Sequence, residues 1–445
     1  MPRFLSALFV IFTTALLLAA DAVPSDWVDP DTGHRIIRLS EENGSRTLYF
    51  HDNSYTPEGD KLIFNTPAGV AVVDLTQLGI VPPKMEIVTQ GSGAIMARRT
   101  REVYVNRGGA PGRGAGAPST QPAEAAAPRR GGGGAPKIYA VNVDTKAQRL
   151  IPNAVSTIIS CDESYGFLVD RGAIDPTGNT PPPTTRPYVP QLQRMFPGKT
   201  MADLTQNQQY AVTKEDRLAR MTLNPSPAAY TFINLKTGER KTCGYQYGNL
   251  DHQQWSPTDP NLLLYAHEGT WHEVDRTWTI RSDGSDMRLM HKRTADMEIN
   301  GHEWWSFDGK TIWYDLQTPR SQDFWIAGVN IDTGKETRYH IERDSWGIHF
   351  NSSRDNTLFA DDGGDPTQVA FSPDGMWINL FRVQPDGTVT REKLVNMSKH
   401  NYVTGARGGI EPNVSITPDN KWVIFTGNMF GGNQVFAVEI AKTNK

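Results

Sequence analysis

Half of the chain's ten histidines lie in one stretch, residues 251–315. The same stretch contains Glu268 and Arg276, so an anionic and a cationic group accompany the imidazoles. Imidazole titrates near neutral pH without a shifted pKa, and it is also the commonest metal ligand. The stretch therefore predicts a proton-transfer site.

Several candidate side chains share one position in the sequence, just before a recurring turn. They are His252, His302, His349, Glu411 and Asn413, and the three histidines are separated by 50 and 47 residues. In a repeat protein, equivalent positions of successive units face the same axis. Residues far apart in sequence are therefore predicted to meet at one site.

The recurring turn has the pattern Ser/Thr-Pro-Asp-Gly, in strict or degenerate form, and an alternating apolar strand follows it. Asp, Asn and Gly accept the positive-φ conformations of tight hairpin turns. A later strand of each unit ends in a second polar turn. The first turn occurs at residues 55–59, 161–164, 256–259, 306–309, 353–356, 372–375 and 417–420, and the second at 72–75, 140–143, 232–235, 278–281, 329–332, 381–384 and 436–439.

The second turn occurs seven times, which indicates seven repeat units. From Ile280 to Ile331, Val383 and Val438 the spacings are 51, 52 and 55 residues, close to the length of a propeller blade. We therefore predict an all-β, seven-bladed propeller whose first strand completes the last blade, because closure leaves only short, protected strand edges. A pair of β-sandwiches is the alternative, but it does not explain the nearly constant unit length. The pattern is irregular in places, since the turns at 353–356 and 372–375 fall in one unit.

Two segments interrupt the repeat. Residues 106–137 are rich in Gly, Ala and Pro and have almost nothing to bury, which predicts a disordered surface loop inside the second blade. Residues 172–222 combine a Pro-rich run with a polar, helix-compatible stretch at 201–220. We predict that this second segment is an ordered insertion at the rim of the propeller.

The N-terminus has the features of an export signal. Arg3 is followed by an apolar run and by the small-residue cleavage pattern Ala20-Asp21-Ala22, so we predict a signal peptide at 1–22 and a mature propeller at 23–445. A membrane anchor is the alternative, but the run is short for a spanning helix. The expected location is therefore periplasmic or secreted, with no membrane attachment after cleavage.

Composition and cysteine content limit the remaining classes. A net charge of −4 and a pI near 6.2 argue against a nucleic-acid partner, whose binding proteins are usually basic. The chain has two cysteines, Cys161 and Cys243, and neither lies in a metal-type CxxC motif. In an oxidising compartment they are expected to be buried thiols or a single disulfide.

The motifs within residues 252–365 resemble those of a known family. The segments are His267-Glu268-Gly269, Val274-Asp275-Arg276 with Trp278, Gly301-His302-Glu303-Trp304-Trp305, Ile348-His349-Phe350 and Asp361-Asp362-Gly363. Together they are similar to the oligogalacturonate lyases, a family of pectin-degrading enzymes, and the overall organisation resembles that family over most of residues 34–440. The resemblance implies a seven-bladed propeller that cleaves short galacturonate oligomers by β-elimination at a manganese site.

The resemblance also implies roles for individual residues. His302 corresponds to the Brønsted base, Arg276 to its catalytic partner and His349 to the first metal ligand. β-Elimination removes a weakly acidic hydrogen next to a carboxylate, so a cation must stabilise the developing negative charge. A neutral imidazole accepts the proton.

The chain departs from the family at the remaining metal ligands. The family has a Gln and then a His-x-His pair, whereas this chain has Glu411-Pro412-Asn413, with Gly408 near the position of the Gln. His349, Glu411 and Asn413 therefore form the predicted site for a divalent cation, with Mn expected from the family and Mg or Ca as alternatives. An ion pair between Glu411 and Arg407, without metal, is the other interpretation of that carboxylate.

The remaining polar residues have two interpretations each. His252, His267 and Glu268 are predicted to contact an acidic oligosaccharide, while strand-end histidines, including His272, also serve as structural hydrogen-bonding groups. Glu268 is alternatively an ion-pair partner that positions Arg276. The chain is thus predicted to be a lyase, with a non-catalytic propeller that binds a glycan or a protein as the alternative.

Overall fold

The computed structural model describes residues 23–108, 135–183, 187–364, 376–402 and 409–442. Its strands form seven antiparallel sheets, each a blade of one propeller. The predicted all-β, seven-bladed fold is therefore confirmed.

The strands of the described residues are short and regular. In chain order they are β1 (Asp26–Val28), β2 (His34–Arg38), β3 (Lys61–Thr66), β4 (Gly69–Asp74), β5 (Met85–Thr89), β6 (Ser92–Met96), β7 (Glu102–Asn106), β8 (Ile138–Asn142), β9 (Gln148–Leu150), β10 (Tyr165–Arg171), β11 (Pro227–Asn234), β12 (Arg240–Tyr247), β13 (Asn249–Trp255), β14 (Leu262–Glu268), β15 (Thr277–Arg281), β16 (Arg288–Leu289), β17 (Ile299–Trp305), β18 (Thr311–Gln317), β19 (Phe324–Asn330), β20 (Glu336–Ile341), β21 (Phe350–Ser352), β22 (Leu358–Asp361), β23 (Trp377–Val383), β24 (Val389–Asn396), β25 (Ser415–Ile416), β26 (Trp422–Gly427) and β27 (Gln434–Lys442). The helices are α1 (Gln191–Met195) and α2 (Gln206–Leu223), with 3₁₀ turns at Met201–Asp203 and Arg343–Ser345.

Six blades are built from consecutive strands, and the seventh joins both ends of the chain. Blades 1 to 6 are β3–β5, β6–β9, β10–β12, β13–β16, β17–β20 and β21–β24. Blade 7 has the order β1-β2-β27-β26-β25, with Ile36 of β2 opposite Val438 of β27. The first strands therefore complete the last blade and close the ring.

The recurring turn is held by a hydroxyl and a carboxylate. In blade 5, Ser306 Oγ donates to Asp308 Oδ1 at 2.7 Å, and the Thr311 N–H donates to Ser306 Oγ at 2.9 Å. The turn predicted at 372–375 lies outside the described residues. The hydroxyl–carboxylate pair recurs as Ser353 with Asp355 and as Thr417 with Asp419.

Apolar side chains fill the spaces between neighbouring blades. Leu380, Val423 and Phe425 are fully buried in one cluster shared by blades 6 and 7. Phe50 and Trp304 belong to an aromatic cluster that lies beneath the inner ends of blades 5 and 6. This packing fixes the angle between blades, and it therefore fixes the distances between side chains at their inner ends.

Both predicted interruptions fall between strands of one blade. The first lies between β7 and β8 of blade 2, and residues 109–134 of it are outside the described part of the chain. The second connects β10 to β11 and contains α1 and α2, so a helical insertion is present where the sequence predicts one. Thr205 caps α2 by accepting a hydrogen bond from the Gln208 N–H.

Two further expectations concern the thiols and membrane insertion. Cys161 and Cys243 are both free, so the disulfide that the sequence left open is not formed. Across the described ranges, no helix is both long enough and apolar enough to span a bilayer. The predicted signal peptide lies outside those ranges.

Candidate functional site

Polar side chains from several blades meet at one end of the axial channel, here called the mouth. His252 lies on β13, His302 lies on β17, and His349 directly precedes β21. Glu411 and Asn413 lie just before β25. The positions that the sequence predicts to be equivalent thus occupy the inner edges of blades 4 to 7.

Matching irregularities in two strands aim two of the histidines. β13 shifts register against β14 between Asp251 and Gln254, and β17 shifts against β18 between Asn300 and Glu303. A bulge bends its strand and redirects a side chain. His252, inside the first irregularity, has a φ of 53°.

Ring distances show how closely the mouth is packed. The His302 ring centroid lies 4.6 Å from that of His349 and 5.6 Å from that of His252. Tyr49, which precedes blade 1, lies 5.2 Å from His349 and 5.8 Å from His252. His51 lies 5.8 Å from His252. The mouth is therefore a cluster of four imidazoles with one phenol among them.

His302 is held as a neutral imidazole. Burial, together with His349 and His252, lowers the pKa of His302 well below its ordinary value. The His302 backbone N–H donates to Asp315 Oδ1 at 2.6 Å, and a β-carbon at residue 301 would collide with that carboxylate. Glycine at 301 therefore allows Asp315 to hold the backbone beside the candidate base.

Arg276 is fully buried and bound by two carboxylates. Its Nε donates to Glu303 Oε2 at 3.0 Å and its Nη1 donates to Glu268 Oε2, while its Nη2 has no hydrogen-bond partner among the described residues. The guanidinium carbon lies 5.5 Å from the centroid of the Trp271 ring. Two carboxylates and an aromatic wall therefore fix the guanidinium.

The two carboxylates differ in their response to burial. Burial disfavours the charged form of Arg276, but Glu268 and Glu303 raise its pKa overall. Burial raises the pKa of Glu303 to about 7, although Arg276 acts in the opposite direction. Burial also favours the neutral form of Glu268, but Arg276 and Lys214 lower its pKa. Of the two carboxylates, Glu268 is therefore the one that stays ionised more readily.

His349 has one nitrogen committed to the protein. Its Nδ1 lies 2.7 Å from Asp362 Oδ2, and its Nε2 lies 3.9 Å from Glu411 Oε2. Although burial alone disfavours the imidazolium, Asp362 and Glu411 raise the pKa of His349. A histidine whose Nδ1 donates to a carboxylate presents Nε2 to a ligand, as in many metal sites.

Asn413 is committed to the backbone. Its Oδ1 accepts the Phe50 N–H at 3.2 Å, and its Nδ2 donates to the Glu411 carbonyl at 3.1 Å. The predicted cation ligands therefore share the mouth, but only His349 Nε2 and the Glu411 carboxylate are uncommitted. Within the ranges that the structure covers, no group of three His, Cys, Asp or Glu residues could hold a metal ion. This donor set does not fit a manganese site made of several protein ligands.

Two of the predicted histidines lie outside the cluster. His267 Nε2 contacts Gln246 Oε1 at 2.6 Å, its ring packs on Trp278 at 5.3 Å, and burial lowers its pKa to about 4. His272 is fully buried and its Nε2 lies 2.9 Å from Gln191 Oε1 in the insertion. Their observed contacts are those of structural histidines.

Sequence reasoning missed several residues of the mouth. Tyr49 and His51 precede the turn at 55–59, so the rule that found His302 would have found them in the first unit. Trp271 contacts the His302 ring edge-on at 5.0 Å, and Lys214 of α2 lies 5.7 Å from the Trp271 centroid. No sequence signal connects Lys214 to the mouth, because its insertion breaks the repeat. The alternative partner of Glu411, Arg407, lies outside the described residues.

Several known proteins are similar to this chain. A model of the oligogalacturonate lyase family matches residues 206–443. The chain is 28% identical over 218 residues to an oligogalacturonide lyase of Pectobacterium atrosepticum, and 30% identical over 218 residues to an oligogalacturonate lyase of Dickeya dadantii. Each match covers 47% of this chain and 54% of the relative, so the chain spans about half the length of the curated relatives it matches.

Two solved structures share the fold over nearly the whole chain. An oligogalacturonate lyase in complex with manganese superposes with a TM-score of 0.64 at 18% identity, covering 94% of this chain and 96% of that one. An oligogalacturonate lyase from Vibrio parahaemolyticus gives a TM-score of 0.62 at 17% identity, covering 94% and 97%. At these identities the structures support the seven-bladed fold alone.

Proposed function

Because the chain belongs to the oligogalacturonate lyase family, we propose that it cleaves uronate-containing oligosaccharides by β-elimination. The observation that carries the proposal is that the buried His302 imidazole and the buried Arg276 guanidinium both contact the Trp271 ring at the mouth, at 5.0 and 5.5 Å. In that arrangement a proton acceptor and a fixed cation share one small, partly desolvated space. Galacturonate, the sugar named for the family, is the expected uronate.

The reaction needs two functions from the protein. His302 would take the C5 proton, the electron pair of that bond would form a C4=C5 double bond, the C4–O bond would break, and the departing oxygen would take a proton from water. Arg276 would stabilise the negative charge that develops on the C6 carboxylate, because guanidinium binds planar carboxylates well. The pairing of Arg276 with Glu268 and Glu303 would hold it in place during this step.

A divalent cation remains a prediction for this chain. If one binds, His349 Nε2 and Glu411 would hold it, and it would act as a Lewis acid on the uronate carboxylate. Since two protein donors fall short of a complete set, we derive no step of the reaction through it. His252 is the best placed of the three predicted substrate contacts, whereas Glu268 acts on substrate only through Arg276.

The location of the protein is also a proposal. The Arg3 start, apolar run and small-residue cleavage pattern within residues 1–22 support export to the periplasm or the medium. Comparison of the N-terminal sequence of the protein recovered from culture with that of the cytoplasmic form tests this. A mature N-terminus near Val23 is expected.

The activity is tested by the absorbance of unsaturated uronate products formed from short galacturonate oligomers. Wild-type protein should produce them, and His302→Ala should lower the rate at least about 100-fold, because the proton acceptor is lost. His340→Ala is the matched control, since His340 is exposed on β20 of the same blade. Product formation that survives in His302→Ala at the wild-type rate would contradict the role of His302.

The missing metal ligands favour a second candidate, a propeller that binds acidic glycans without cleaving them. Calorimetry with a galacturonate trimer separates the two. Binding without any unsaturated product would support the second candidate, and product formation would support the lyase.

A further inference from the structure

Among the described residues at the mouth, the cationic groups are already paired with acidic side chains, so little positive charge is free to bind an anionic substrate. The Arg276 guanidinium lies against Trp271, and two carboxylates, those of Glu268 and Glu303, already bind it. On the other side, Asp362 and Glu411 lie 2.7 and 3.9 Å from the two His349 nitrogens, so that imidazole is already paired with acidic groups. A uronate brings one more carboxylate, and the donor set of His349 and Glu411 does not supply a complete metal site to neutralise it.

Lys214 is a cation that lies close to this region. Its Nζ is 5.7 Å from the centroid of Trp271, whose ring also contacts His302 edge-on at 5.0 Å. The Arg276 guanidinium lies 5.5 Å from the centroid of the same ring. Trp271 therefore joins Lys214, Arg276 and His302 in one set of contacts.

Lys214 forms no ion pair with a carboxylate in the part of the chain that the structure describes. Among the residues that the structure describes, no acidic side chain lies within 4.0 Å of its Nζ and no hydrogen bond uses it. Its side chain is half-buried. An ammonium group in this state is suited to bind an incoming anion.

The neighbours of Lys214 fix the helix that carries it. Glu215 accepts from Arg320 Nη1 at 3.2 Å, and both side chains are buried. On the other side, Asp216 Oδ1 accepts from Tyr188 at 2.6 Å and from the Gln191 N–H at 2.8 Å. Contacts of residues 215 and 216 to blade 5 and to the rest of the insertion thus hold α2 in place next to Lys214.

We propose that Lys214 binds the C6 carboxylate of the uronate that undergoes elimination, and that with Arg276 it supplies the positive charge which the resemblance assigns to a metal ion. The inference rests on the proposed function, and it makes the inserted helix part of the substrate site. It also predicts a preference for the free acid over its methyl ester, because the ester has no negative charge.

The test measures cleavage and binding in three variants. Lys214→Gln removes the charge, Lys214→Arg keeps it, and Lys199→Gln removes an exposed lysine of the same insertion as the control. Lys214→Gln should lower kcat/KM for galacturonate oligomers about 100-fold, as loss of a positioned charge-stabilising donor does. Lys214→Arg should retain activity within about tenfold, and Lys199→Gln should match the wild type.

Substrate charge and chelation give readouts that a structural role would not change. Wild-type protein should discriminate against methyl-esterified oligomers, Lys214→Gln should lose most of that discrimination, and wild-type activity should persist in chelator. Calorimetry with a galacturonate trimer, in the His302→Ala background, should show the same loss of affinity with Lys214→Gln.

The outcomes separate this inference from the proposed function. If the wild type cleaves galacturonates while Lys214→Gln has unchanged kcat/KM, trimer affinity and ester discrimination, the Lys214 proposal fails and the lyase remains. Activity lost in chelator but unaffected by Lys214→Gln would also overturn it in favour of a bound cation. If the wild type neither cleaves nor binds galacturonates, the proposed function fails, and the role of Lys214 fails with it.

Discussion

The mouth has two sides that differ in how their polar groups are used. On the side of blades 4 and 5, the Arg276 guanidinium binds Glu268 and Glu303 and leaves Nη2 without a partner among the described residues. On the side of blades 6 and 7, Asp362 accepts from His349 Nδ1 and from backbone N–H groups, and Asn413 is bound to Phe50 and Glu411. The first side therefore has a free N–H donor for a ligand. On the second side, most polar groups already form hydrogen bonds within the protein.

This difference indicates which half of the proposed site is complete in this chain. Blades 4 and 5 provide both the candidate proton acceptor, His302, and the guanidinium of Arg276, which two carboxylates fix. A metal site needs several donors from different blades at once, so replacement of two of them removes most of it. The site is therefore organised around the guanidinium.

The largest effect is expected from Arg276→Lys, which disrupts the guanidinium site on the side of blades 4 and 5. A lysine cannot donate to Glu268, to Glu303 and to a substrate in a fixed plane, and it leaves the fully buried Glu303 without its partner. We expect kcat/KM to fall at least about 100-fold. Urea denaturation should show a loss of roughly 1–3 kcal/mol, because the buried Glu303 loses its hydrogen bond to the guanidinium.

Arg338→Lys is the matched control for that experiment. Arg338 pairs with Glu336 on the outer strand of blade 5 and is 35% exposed. A surface ion pair contributes about 0–1 kcal/mol, so the change should have little effect on stability or activity. Equal, small effects of the two substitutions would show that the mouth is not organised around Arg276.

The next prediction concerns the side of blades 6 and 7, where a double substitution would add the metal ligands that this chain lacks. The double substitution Glu411→His and Asn413→His installs the His-x-His pair of the family beside His349, so three imidazoles could act as ligands. Residue 413 has a φ of 50°, a region in which histidine is tolerated better than most residues. We expect the affinity for Mn²⁺, measured by calorimetry, to rise at least about tenfold.

His349→Ala in the double variant should abolish the gain, since it removes the ligand that the native chain already has. Loss of the hydrogen bond from the Phe50 N–H to residue 413 is expected to lower stability by about 1 kcal/mol. If the native protein binds Mn²⁺ as tightly as the double variant, the conclusion that the side of blades 6 and 7 lacks a complete metal site is wrong.

The fold could be predicted because its signals are local. The hydroxyl–carboxylate turn is set by residues two apart, such as Ser306 and Asp308, and it recurs at Ser353 with Asp355 and at Thr417 with Asp419. Placement of His302 and His349 at the mouth followed from the same repeat. In a repeat protein, residues at equivalent positions of successive units occupy equivalent places in the fold, so a local pattern predicts which distant residues lie close together.

The rest of the site depends on contacts that no local pattern encodes. His267 lies in the family motif, but its ring contacts Gln246 and Trp278, so the neighbouring strands determine its role. Asn413 has the right chemistry for a ligand, but its amide is used by the backbone. Lys214 reaches the mouth from an insertion whose docking depends on buried pairs.

The smallest effect, and the most specific to the cluster, is the pH dependence of stability. Burial lowers the pKa of His51 to about 3, from 6.5 in an exposed chain. Between these values the unfolded state binds a proton that the folded state does not, so the stability contributed by neutral His51 is present above pH 6.5 and is lost as the pH falls toward 3. The contribution to the slope is at most about 1.4 kcal/mol per pH unit.

Nearby carboxylates act with the opposite sign in part of this range. Burial raises the pKa of Asp52 to about 7, and that of Asp315 to about 7, so their folded forms keep a proton that the unfolded forms lose as pH rises. The difference between wild type and His51→Gln therefore isolates the histidine. Urea denaturation from pH 4.5 to 6.5 should show a shallower increase of stability with pH in His51→Gln, while His340→Gln, at an exposed position, should follow the wild type. Parallel curves for wild type and His51→Gln would mean that His51 is solvated and that the side of the mouth near blade 1 is open to water.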